Sequence, residues 1–212
     1  MRNIIFILLL FISSVCFSQK IYTEPKTGPV WFYDCEPETY IPLYYTKIEK
    51  EETNEEIIPP SDRDCVVKTF TSQIGIREKG NNSGKEVEMY LASAGLAKGN
   101  PWCASFVQWS MLQCTDIKIT AAGWVPSWFP QKKLIFVRGK LDIKPPQAGD
   151  LIGIWFANKN RLAHIGFYES QEGDFIISVE GNTNEEGSRE GDGVYRKKRI
   201  ARTIHSISSW LP

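Results

Sequence analysis

Histidine is scarce in this chain of 212 residues: there are only two, His164 and His205. No His-rich tract and no Cys-x-x-Cys pair occurs, so the usual zinc ligand sets are missing and no cofactor is expected. Neither sign of charge is in excess, because 25 Lys and Arg balance 25 Asp and Glu. That balance removes the basic footprint of a nucleic-acid binder and the need for a charged macromolecular partner. No internal repeat is visible, nor any low-complexity tract beyond one acidic stretch, EKEETNEE. The long apolar run is at the N-terminus, where MRNIIFILLLFISSVCFSQK has a basic start at Arg2, apolar residues from Ile4 and small or polar ones near Ser18. This is the pattern of a secretory signal peptide over residues 1–18, too short for a comfortable membrane span. A lipoprotein reading of Cys16 is the weaker one, since Val15 precedes it where a small residue belongs.

Export implies a secreted or periplasmic protein in an oxidising compartment, where paired thiols become disulfides. Removal of Cys16 with the signal leaves Cys35, Cys65, Cys103 and Cys114. Cys103 and Cys114 fall on one predicted helix, where eleven residues at about 1.5 Å each hold them roughly 16 Å apart. A bridge needs Cα atoms within about 7 Å, so these two do not pair with each other. The preferred pairing is Cys35 with Cys65, pinning residues 19–64, an aromatic-rich extension with an acidic linker and one possible hairpin, to a domain over residues 65–212. Cys114 is then expected to be an inert core thiol.

From Cys65 the periodicity sharpens. Val66, Phe70, Ile74 and Ile76 suggest a first helix; Val87, Tyr90, Leu91 and Ala94 mark a second, stopped by Gly95. Pro101 suits the first turn of a third, running from Trp102 to Cys114. Beyond Gly123 come short runs rich in β-branched and aromatic residues: KLIFVRG, DLIGIWF, AHIGFYES, DFIISVEG, GVYRKKR and RTIHSISSW. Helices followed by antiparallel strands predict an α+β domain with the helices packed on one side of the sheet.

A nucleophilic thiol must ionise, which favours a helix start and a neighbouring base. Cys103 has the first by position. For the base, His164 sits in LAHIGFYES, where alternation puts it on one face with Gly166, a small neighbour suited to close approach by a substrate backbone. His205 has no acidic or amide partner nearby in sequence and reads as a partly exposed strand residue. A hairpin through Gly173 would return Glu180 and Asn182 beside His164, with Glu180 the first choice to orient the ring; Asn182 reads alternatively as a turn former. Pro146, Gly149 and Asp150 read as turn residues. Trp102, Trp124 and Trp155 are candidate walls of a substrate groove, and the basic strand YRKKRIAR reads as a solvated face.

Four segments in order, GNNSGKEVEMYLASAGLAKGNPWCASFVQW, PQAGDLIGIWF, AHIGFYES and VEGNTN…GSREGDGVYRKKR, resemble the CHAP domains, cysteine-histidine amidohydrolases and peptidases of the NlpC/P60-papain-like group, over roughly Phe70 to Trp210. The resemblance implies a papain-like core, Cys103 as nucleophile, His164 as base, Glu180 as orienting acid and Asn182 as a polar fourth member. It also implies hydrolysis of peptidoglycan amide bonds, as an N-acetylmuramoyl-L-alanine amidase or an endopeptidase. No separate wall-binding repeat accompanies the domain, and the extension has no counterpart in the family. Two other uses fit the same residues: a non-catalytic wall-binding or scaffold module, and an antibacterial effector with an inhibitor or immunity protein as partner.

Overall fold

The computed structural model describes residues 61–185 and 191–212, together with a short antiparallel backbone pairing of β1 (Val30–Trp31) with β2 (Pro42–Leu43). The signal-peptide reading of residues 1–18, most of the extension and Cys35 lie outside the described residues. The chain divides into two compact units, Met1–Glu56 and Ile57–Pro212.

Within the second unit, α1 (Asp62–Ser72) begins at a capping box, in which Asp64 N donates to Ser61 Oγ while Ser61 N donates to the Asp64 carboxylate. The helix buries Val66 and Phe70. It stops earlier than the apolar spacing suggests: Gly75 adopts φ +99°, so Ile74 and Ile76 lie beyond the helix, and Arg77 bridges to Gly193. Helix α2 (Lys85–Ser93) buries Val87, Tyr90 and Leu91, as its periodicity predicts, with Gly95 at φ +70° beyond its end. Helix α3 (Cys103–Leu112) is buried on nearly every side, which is why its sequence shows little amphipathic contrast.

The strands are β3 (Leu134–Val137), β4 (Leu141–Asp142), β5 (Leu151–Phe156), β6 (Arg161–Glu172), β7 (Phe175–Thr183), β8 (Gly193–Ile200) and β9 (Ser206–Ser208). They form one seven-stranded sheet in the order β4-β3-β9-β5-β6-β7-β8, with every pair antiparallel. The α+β class is therefore as the sequence predicts. Phe167 of β6 stacks on Phe70 of α1 at 4.4 Å between ring centroids and meets Phe106 of α3 edge-on at 5.9 Å, joining the helices to the sheet. Aromatic pairs of this kind contribute about 0.5–1.5 kcal/mol each beyond area burial. A second apolar cluster, including Ile135, Ile152, Tyr168, Ile176, Ile204 and Ile207, completes the core.

The cysteine pairing corrects the expectation. Cys65 is bonded to Cys114, with Cα atoms 5.8 Å apart, so it is not joined to Cys35, and Cys114 is not an inert thiol. Packing of α1 against α3 brings together two positions that are 49 residues apart in the chain, a juxtaposition no local spacing reports. No helix among the described residues is long and apolar enough to cross a membrane.

Candidate active site

Cys103 is the first residue of α3 and is buried. Trp102 precedes it as N-cap and offers no side-chain cap; the first intrahelical bond is Phe106 N to Trp102 O at 2.8 Å. No side chain of the N-cap residue therefore competes for the N–H groups of the first turn. Both α1 and α2 carry acidic residues in their first turns, Asp62 and Asp64 in one and Glu86 and Glu88 in the other, whereas α3 carries none. The positive end of the α3 dipole is left unneutralised by any carboxylate of its own first turn, beside a thiol that can become an anion.

Trp102 has no accessible surface. Its ring packs on Tyr90 and its Nε1 donates to Glu78 Oε1 at 2.7 Å. It is a core residue that seats the helix start, and the expectation that it walls a groove is corrected by its burial. Gly181 permits that seating: a methyl group there would come within 2.7 Å of the Trp102 ring and 2.8 Å of Phe106 Cβ, so only glycine lets α3 settle on β7.

The β6–β7 hairpin turns at Gly173 and Asp174, with Glu172 opposite Phe175 and Phe167 opposite Val179. Continuing that register puts Gly166 across from Glu180. The small residue beside His164 is needed for the orienting carboxylate and not for a substrate, since a methyl group at Gly166 would lie 2.5 Å from Glu180 Cγ. His164 Nε2 and Glu180 Oε2 are 2.8 Å apart and both residues are buried. Nε2 being engaged, Nδ1 is the ring nitrogen left for the sulfur; it makes no other hydrogen bond, and Cys103 interacts with the imidazole closely enough to affect its protonation. Burial, the largest single influence, opposes charge on the ring; hydrogen bonding to Cys103 and Glu180 and the charges of both together outweigh it and raise the His164 pKa to about 9.

Glu180 is also the acceptor for two groups that the sequence reading did not single out. Ser178 Oγ donates to Oε1 at 2.6 Å; Arg199 of β8 donates through Nε to Oε1 at 2.6 Å and through Nη2 to Oε2. Burial alone would raise the carboxyl pKa, but Arg199 and His164 hold it far below the usual carboxylate range. YRKKRIAR is therefore not simply a solvated face: exposure alternates along β8, with Arg196 and Lys198 outward and Tyr195, Lys197 and Arg199 partly buried. The two-residue period of a strand puts Arg199 on one face with Tyr195 and Lys197.

Asn182 is buried, yet its Nδ2 donates to Asn82 Oδ1 at 3.2 Å and not to the imidazole. A bulge between Glu180 and Thr183, with Asn182 at φ +54°, breaks the alternation that put both side chains on one face. Trp124 and Trp155 are exposed at the end of the sheet that carries His164: Arg161, at the start of β6, covers the Trp124 ring at 4.0 Å, and Trp155 follows Ile154, the partner of His164 on β5. His205 stacks on Trp155 and contacts Ser206 Oγ; it is partly exposed, as expected, but precedes β9 and is not itself a strand residue. Gly149 and Asp150 are structural as read: Asp150 is buried against Arg63 and accepts from Gln147 N. A cleft of about 470 Å³ opens near the start of α3, with Glu78, Asn82, Pro101, Asn184 and Asp192 on its walls.

No family model matches the chain, and neither a curated protein nor a solved structure matches it.

Proposed function

We propose that the protein is a cysteine amidohydrolase or endopeptidase with a papain-like core that cleaves amide bonds of peptidoglycan outside the cytoplasm. The observation that carries this reading is one buried run of groups: a cysteine heading a helix, a histidine interacting with it, and a carboxylate 2.8 Å from the far nitrogen of that histidine. The CHAP-like segments supply the substrate class. The Cys65–Cys114 disulfide supports an oxidising compartment.

In the reaction, His164, its pKa raised to about 9, holds a proton at neutral pH, and Cys103 acts as the thiolate. The sulfur attacks the amide carbonyl carbon, and N–H groups of the first α3 turn hold the oxyanion. Nδ1–H of His164 protonates the departing amine as the C–N bond breaks, leaving a thioester. Neutral His164 then takes a proton from water, which attacks the thioester and releases the carboxylic acid and the Cys103 thiolate beside the protonated ring, the starting state. Glu180 keeps the ring oriented and stabilises its charge throughout.

Loss of turbidity and release of muropeptides from purified cell walls test the proposal. The full chain should release them and a Cys103→Ala protein should not; equal lysis by both would eliminate this mechanism.

A further inference from the structure

We infer that Arg199 is the fixed countercharge that allows Cys103 to be a thiolate: gripped to Glu180, it makes the buried cluster, with His164 protonated, electrically neutral when the sulfur is negative and not when it is a thiol. Four groups form that cluster. With Cys103 negative, His164 positive, Glu180 negative and Arg199 positive, the sum is zero, whereas a thiol beside the charged ring would leave one net positive charge buried. Remove Arg199 and the same protonation state carries an uncompensated negative charge. A proton then restores neutrality, and it goes to the stronger base. That base is the thiolate, whose ordinary pKa of about 8.5 far exceeds the value of about 4.3 for a carboxylate.

The geometry separates Arg199 from an ordinary surface pair. Three residues earlier on β8, Arg196 also reaches a carboxylate through two nitrogens, to Glu169, but its side chain is 52% exposed. Arg199 is 16% exposed and its partner Glu180 is fully buried. The remaining charged or titratable groups near the cluster do not substitute for it. From β6 there is Tyr168, from β7 the Ser178 hydroxyl, and from β8 Tyr195 and Lys197. Lys197 donates to the carbonyls of Asn184 and Glu185, and burial and then Arg199 push its pKa down. In the segment preceding α2, Glu78 is engaged by Trp102 Nε1 and Asn82 N. Arg199 is thus a positioning residue: it acts on the sulfur through Glu180 and His164.

The inference rests on the nucleophile reading above, and its readout is thiol chemistry, independent of which bond is cut. Iodoacetamide labelling of the full chain across pH, followed at the Cys103 peptide by mass spectrometry, gives the midpoint for thiolate formation. The wild-type midpoint should lie well below 8.5; Arg199→Met should raise it by at least about one unit, a tenfold loss of labelling at pH below the midpoint. Arg199→Lys, which keeps the charge, should stay within about half a unit. A folded Arg199→Met protein with an unshifted midpoint overturns the inference. If that variant does not fold, a rise of about one unit in the Lys variant does the same. A wild-type midpoint near 8.5 sinks the thiolate reading itself, and with it this one.

Discussion

Glu180 accepts hydrogen bonds from His164, Ser178 and Arg199 without being exposed, and it determines how long His164 keeps its proton. The sign follows from the interactions. Glu180 favours the charged ring, so activity that needs the imidazolium is retained at neutral pH and lost as pH rises through about 9. In Glu180→Gln the favourable charge is gone, while burial remains to oppose the imidazolium. The alkaline limb of kcat/KM should therefore move down by more than about one unit, and the value at its optimum should fall about a hundredfold or more. A pH–rate profile checks this; an unmoved alkaline limb would separate Glu180 from the protonation of His164. The pairing of His164 with Glu180 was legible in the sequence because both lie on one hairpin whose turn, at Gly173, fixes the register. Arg199 was not, because residues 184–192 separate β8 from β7 and leave the register of a basic strand open; only the partial burial of alternate residues marks it.

Helix α3 places the sulfur, and two devices hold the helix. Gly181 lets Trp102 and Phe106 sit directly on β7, and the Cys65–Cys114 disulfide ties the far end of the helix to α1. The disulfide closes a loop of 49 residues, for which chain entropy gives about 4 kcal/mol, with 2–5 kcal/mol the usual loss when such a bond is removed from a secreted domain. Cys114→Ser should lower the stability measured by urea unfolding by roughly that range, and reduction of the wild-type protein should mimic it. A change below about 0.5 kcal/mol would mean that helix packing alone fixes the pair. The helices and strands were readable because their periods differ, 3.6 residues in one half and two in the other. The cystine was not readable, since its partners meet only when α1 packs beside α3. Trp102 was misassigned for a related reason: a tryptophan before a nucleophile looks the same in sequence whether it faces a groove or the core.

The α+β unit as a whole arranges its polarity in one place. A seven-stranded antiparallel sheet carries apolar side chains toward three helices, and the buried charges gather where α3 starts and where β6, β7 and β8 run side by side. Burying four ionisable groups costs stability that an all-apolar arrangement would not, so their mutual pairing points to chemistry. The chemistry we propose for it is acyl transfer through sulfur, with a thioester intermediate. Acid quenching of the full chain during turnover of cell-wall fragments, followed by intact-protein and peptide mass spectrometry, observes that species directly. An acyl adduct on the peptide containing Cys103, released by hydroxylamine and absent from Cys103→Ala, is the predicted result. Fragment cleavage that proceeds at full rate in Cys103→Ala, with no adduct at any stage in the wild type, would contradict it.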